Sequence, residues 1–107
     1  MTGSWQTRGR PASSDAVESR SFESAVLSPH AAAEIRRRGL PGDHIHLALA
    51  APQQVVPIRT GRVVIHHRYR IGDREYLLRI FVDTDREPPV VVTVYRTSKI
   101  EKYWRTP

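Results

Sequence analysis

The sequence has no cysteine, one methionine and no apolar run longer than five residues. Without cysteine there is no disulfide framework, cysteine-held zinc, iron–sulfur cluster or thiol nucleophile. The short apolar runs exclude a membrane-spanning helix, which needs about 20 consecutive residues. Lysine is also scarce: two of the seventeen basic residues are lysine, and the excess of six positive charges rests on arginine. The opening Met-Thr-Gly-Ser-Trp lacks the basic-then-apolar pattern of a secretory signal, so a cytoplasmic chain is expected.

The charge is unevenly placed. Residues 1–25 carry three arginines and three acids, whereas residues 26–107 carry fourteen basic and eight acidic groups. Residues 1–21, rich in Ser, Gly and Pro with Trp5 as their one large apolar group, read as a polar tail. Residues 22–107 read as a single domain with little room for an enclosed small-molecule pocket. A shallow basic surface is the more natural place for chemistry, with polyanions as partners and no small-molecule cofactor.

Periodicity divides the domain in two. Ser28-Pro29-His30 is a helix start, Ala31 to Arg38 favour helix throughout, and Gly39 stops it. A second helix fits Asp43 to Ala51, ended by Pro52. From there alternation takes over: strands are predicted over Gln53 to Ile58 (with Pro57 at a sheet edge), Val63 to Arg70, Glu75 to Asp83 and Val90 to Arg96. Ser98 to Trp104 closes the chain as a short helix with Ile100 and Tyr103 or Trp104 turned inward. The expected fold is α+β, with two N-terminal helices packed on a three- to four-stranded antiparallel sheet.

Several residues could carry chemistry. His30 sits beside the unpaired amides of a helix start, which favour a neutral imidazole suited to general base work. The competing reading is a histidine that helps pack the helix. His44-x-His46 and His66-His67 do not have chelating spacing, because neither pair shares a face, so no metal is expected. Residues 59–79 hold six arginines; Arg68 and Arg70 share a strand face with His66, and Arg79 interrupts an apolar strand. Arg96, Lys99, Lys102 and Arg105 form a second basic set, with Tyr95, Tyr103 and Trp104 interleaved as surfaces on which bases could stack. The bland alternative is an ordinary solvated sheet face.

Ser28-Pro29-His30, Arg38-Gly39-Leu40 and the closing Val92-Thr93-Val94-Tyr95-Arg96-Thr97-Ser98-Lys99 resemble a small bacterial and phage family of unknown function. The resemblance runs from about Val26 to Trp104. That family is similar in its helix–helix–sheet order to the RelE, ParE and BrnT toxins. The resemblance implies a metal-independent RNA endonuclease of toxin–antitoxin or effector type, held in check by a cognate antitoxin or immunity protein. His30 would be the base, Arg79 and Arg96 would hold the scissile phosphate, and Tyr95 or Tyr103 would stack a base or protonate the leaving oxygen. His66, Arg68, Arg70, Lys99, Lys102 and Tyr103 would bind the RNA. ParE-type members are not nucleases, so the alternative is a non-catalytic basic module that binds nucleic acid or inhibits a protein target. A third reading is an immunity or antitoxin protein whose basic face meets an acidic toxin.

Overall fold

The computed structural model describes residues 21–106. The tail expected over residues 1–21 therefore lies outside the described residues, Ser21 excepted. Strand β1 (Val26–Leu27) leads into helix α1 (Pro29–Arg38) and helix α2 (Gly42–Ala50). Strands β2 (Gln54–Arg59), β3 (Arg62–Ile71), β4 (Arg74–Asp83) and β5 (Val90–Thr97) follow, and helix α3 (Ile100–Tyr103) closes the described chain.

The start of α1 forms as its sequence dictates. Ser28 Oγ accepts from the Ala31 amide at 3.0 Å, and Pro29 occupies the first turn, where no amide hydrogen is needed. The same hydroxyl donates to the Val92 carbonyl at 3.3 Å, so one side chain caps the helix and ties it to β5. Ser28→Ala is accordingly expected to cost about 1 kcal/mol, read as a lowered thermal midpoint. At the other end Gly39 adopts φ 61°, a left-handed conformation that glycine takes without steric cost, and Leu40 N donates to Ile35 O at 3.0 Å.

The sheet corrects the expected strand count and direction. It has five strands in the order β1-β5-β4-β3-β2, and it is mixed. The β2–β3, β3–β4 and β4–β5 pairs are antiparallel, but β1 runs parallel to β5. A two-residue strand has no periodicity to detect. It exists because Val26 N donates to Pro89 O and Ser28 N to Val91 O, both at 2.9 Å. β2 lies at the opposite edge, where Pro57 leaves no central ladder bond unmade.

Alternation divides the sheet into two faces. Val63, Ile65 and Tyr69 of β3 oppose Val82, Ile80 and Tyr76 of β4, and Ile80 in turn opposes Val94. With Val91 they meet Ala31, Ile45, Ala48 and Leu49 of the two helices, and Phe22 and Leu40 complete this core. The other face carries Val64, His66 and Arg68, then Leu77, Arg79 and Phe81, then Thr93, Tyr95 and Thr97. The C-terminal segment packs over it, with Tyr103 against Arg79 and Trp104 against His66.

Candidate functional site

Arg79 is the centre of this second face. It stands in the middle of β4, opposite His66 on β3 and Tyr95 on β5. Its Nε donates to His66 Nε2 at 3.1 Å and its Nη1 to the Tyr95 hydroxyl at 2.6 Å. The guanidinium lies 4.0 Å from the Tyr103 ring centroid, with Phe81 at 5.2 Å. This half-buried cation is therefore oriented on two edges and stacked on a third side. Among the described residues no carboxylate pairs with it.

The two acids of β4 are engaged elsewhere. Asp83 accepts from Arg62 Nε at 2.6 Å, and Glu75 accepts from Arg68 Nη2 at 2.7 Å. Those ion pairs hold the carboxyls of Asp83 and Glu75 below their usual range. Glu34 is taken by Arg37 and Arg38 on α1. A guanidinium carries five N–H donors, and Arg79 uses two of them in hydrogen bonds within the chain.

His66 fixes Arg79 from below. Its Nδ1 lies 2.9 Å from Gln54 Oε1, which can only accept, so the proton sits on Nδ1 and Nε2 is free to accept from Arg79. Burial first, then the charges of Arg79 and Arg105, push its pKa from 6.5 to about 4. His66 is therefore neutral and has no free nitrogen, which makes it a support for Arg79 rather than a free base. Trp104 stacks over it with centroids 6.3 Å apart, and Arg68 lies 4.8 Å from the indole. Gln54 also clasps the terminal segment: Arg105 N donates to its Oε1 at 3.2 Å, and its Nε2 donates to Arg105 O at 2.5 Å. On the outer side, the Tyr95 hydroxyl and then Lys102 draw the Tyr103 phenol below its ordinary value of 10.

The predicted site residues are thus divided between the two faces. Arg79, Tyr95, His66, Arg68 and Tyr103 converge on one surface, with Arg70 on the same face towards the β3–β4 turn and Lys99 and Lys102 on the segment that crosses it. Arg96 faces the other way: it opposes Leu78 in the core, and its guanidinium lies 4.9 Å from the Tyr76 ring. His30 is exposed in the first turn of α1 on the helical side, and no hydrogen bond or ring contact joins it to Arg79, Tyr95 or Arg96. His66 and His67 point to opposite faces, as neighbours on a strand must. His67 meets His44 on α2 at 3.1 Å, beside the buried Tyr69 hydroxyl, which has no partner.

Sequence reasoning missed Gln54 and Glu75. Neither differs from an ordinary strand glutamine or glutamate until the register is known; then Gln54 stands opposite His66, and Glu75 opposite Arg70 and within reach of Arg68. No group of three or more His, Asp or Glu residues among those described could hold a metal. No helix among them is long and apolar enough to cross a membrane. No known protein family matches the chain, nor does any characterised protein or solved structure.

Proposed function

We propose that this chain is a basic module that binds single-stranded RNA across the sheet face centred on Arg79. The observation that carries this reading is a half-buried guanidinium, fixed by His66 and Tyr95 and stacked on Tyr103, with unused donors and no ion-pair partner among the described residues. A cation partly withdrawn from water without a counterion gains from an anionic partner, and a phosphate supplies both the charge and the paired acceptors that a guanidinium fork matches. Tyr103 and Trp104 supply rings for stacking, and Lys99, Lys102 and Arg70 supply further phosphate contacts along the strand. Unpaired bases suit rings that lie across a sheet; a duplex keeps its bases stacked on one another. The reading keeps the RelE/ParE-type module as its frame, with an acidic antitoxin or immunity protein competing for the same face.

Metal-independent cleavage is the second reading, favoured by the acidified Tyr103 phenol beside Arg79. Arg79 would stabilise the negative charge that develops on the non-bridging oxygens of the phosphorane, and Tyr103 or Tyr95 would exchange the proton of the attacking or leaving oxygen. His30 and Arg96 have no place in that arrangement.

Fluorescence anisotropy with a labelled oligouridylate and with a duplex of equal length tests the binding reading. Tighter binding of the single strand, with affinity falling as salt rises, is expected. Equal or tighter binding of the duplex would overturn it. Following the same RNA on a gel with EDTA present separates the two readings: intact RNA means binding alone. Shortened RNA that persists in His30→Ala and disappears in Tyr103→Phe means cleavage from the Arg79 face.

A further inference from the structure

On the helical face, away from Arg79, a chain of hydrogen bonds with a fixed direction joins α2 to the sheet. Gln53 Oε1 lies 2.8 Å from the Arg68 amide, which can only donate. The Nε2 end of Gln53 is therefore turned to the Arg68 carbonyl and to His67 Nδ1, each at 3.3 Å. His67 Nδ1 accepts, so the proton of this buried ring sits on Nε2. That nitrogen faces His44 Nδ1 on α2 at 3.1 Å and donates to it. We infer that the His67–His44 contact is a proton-operated latch: it holds the first turn of α2 on the sheet while both rings are neutral and releases it when the pair takes up a proton. The latch stands apart from the RNA-binding reading.

The geometry leaves an added proton no place. On His67 Nδ1 it would face the Gln53 N–H; on His44 Nδ1 it would face the His67 N–H. Moving the His67 proton across its ring to make room for a charged His44 brings back the first conflict. In each case two donors meet where a donor had met an acceptor, and a bond is lost. The surrounding groups do not offset the charge. On α2, Asp43 is exposed and accepts from the His44 amide, and His46 is exposed. On β3 and β4, Tyr69 and Tyr76 follow, with Arg74 and Arg96 of β5 on the Tyr76 ring as further positive charges. Among the described residues no carboxylate forms an ion pair with either imidazole.

Release is local. Ile45, Ala48 and Leu49 anchor α2 in the core, but no side chain caps its N-terminus, so the turn that carries His44 depends on the latch. Beneath it lies Tyr69, whose ring centroid is 4.8 Å from that of His44 and whose buried hydroxyl has no hydrogen-bond partner. Such a hydroxyl is unfavourable, and lifting His44 uncovers the ring that carries it. Burial, then the charge of His44, also holds His67 below its ordinary value of 6.5. The open form thus takes up the proton first. The closed form keeps its full advantage above about pH 6.5 and loses it as pH falls.

Hydrogen–deuterium exchange of the full chain, followed by NMR, tests the latch. Between about pH 7 and about pH 5.5, protection of the amides from Ile45 to Leu47, corrected for intrinsic exchange, should fall about ten-fold. That is the effect of one proton taken up at the ordinary histidine value in the open form alone. Gln53→Glu sets an acceptor against His67 Nδ1, so a charged His67 would keep both its bonds, and the fall should shrink below about two-fold. No fall in the native chain, or an equal fall in Gln53→Glu, would overturn the inference. A second readout needs no variant. Long-range proton–nitrogen spectra at neutral pH should show His67 with its proton on Nε2 and a bare Nδ1; the opposite tautomer would overturn the latch outright.

Discussion

Arg79→Ala is expected to weaken oligouridylate binding by ten-fold or more at low salt and to flatten its salt dependence. A hydrogen bond to a charged group is worth about 1.5–3 kcal/mol, and about 1.4 kcal/mol is a factor of ten in affinity. Removing one cation that neutralises a phosphate of a single strand should reduce the slope of log affinity against log salt by about 0.7. Arg79→Lys keeps the charge but cannot reach both His66 Nε2 and Tyr95 with a planar fork, so its affinity should fall between the other two. Arg96→Ala is the control, since it removes one exposed positive charge from the helical face. Thermal melts of all three variants establish folding first, because Arg79→Ala leaves His66 Nε2 and the Tyr95 hydroxyl without their partner. If Arg96→Ala and Arg79→Ala weaken binding equally, affinity follows net charge and the Arg79 face has no special role.

A second large effect is expected in stability against pH. The pKa of His66 falls to about 4 in the folded chain, against 6.5 for a free histidine. On acidification the unfolded chain therefore takes up the proton first. The stabilisation is complete above about pH 6.5 and is lost as pH falls towards 4. At 1.36 kcal/mol per pH unit this amounts to about 3 kcal/mol, a large part of a small domain's stability. His67 acts in the same direction, through burial and then the charge of His44. The carboxyls of Glu34, Glu75 and Asp83, held down by their arginine partners, add their loss only below their ordinary values of 4.5 and 3.8. Loss between pH 6.5 and 5 thus belongs to the buried histidines. Urea midpoints across this range should fall in the native chain and fall less steeply in His66→Gln, which starts lower at pH 7. Parallel slopes would mean that His66 titrates at its ordinary value.

Helix boundaries were legible because capping chemistry is local: Ser28, Pro29 and Gly39 each act within one turn. The antiparallel strands were legible because one face must be apolar, so Val63, Ile65 and Val82 reveal both element and face. β1 was not, since its two residues depend on carbonyls and amides more than sixty positions away in the chain. The site was half legible for the same reason. Arg79 stood out as a cation inside an apolar strand, and alternation put His66 and Arg68 on one face. That Arg96 faces away from Arg79 follows from the irregular β4–β5 register, in which Phe81 opposes Thr93 while Val82 opposes Val91. His30 drew notice through the chemistry of a helix start, which says nothing about where that start lies relative to a sheet face.

The central claim is that Arg79 is a prebuilt phosphate anchor, and side-chain NMR tests it most directly. With its Nε–H bonded to His66, Arg79 should give a resolved Nε–Hε correlation, which Arg79→Lys removes and so assigns. On titration with oligouridylate this signal should shift in step with binding, at lower RNA concentration than the signals of Arg74 and Arg96 on Tyr76. An Arg79 signal that stays in place while those of Arg74 and Arg96 move would contradict the account and put the RNA on the opposite face.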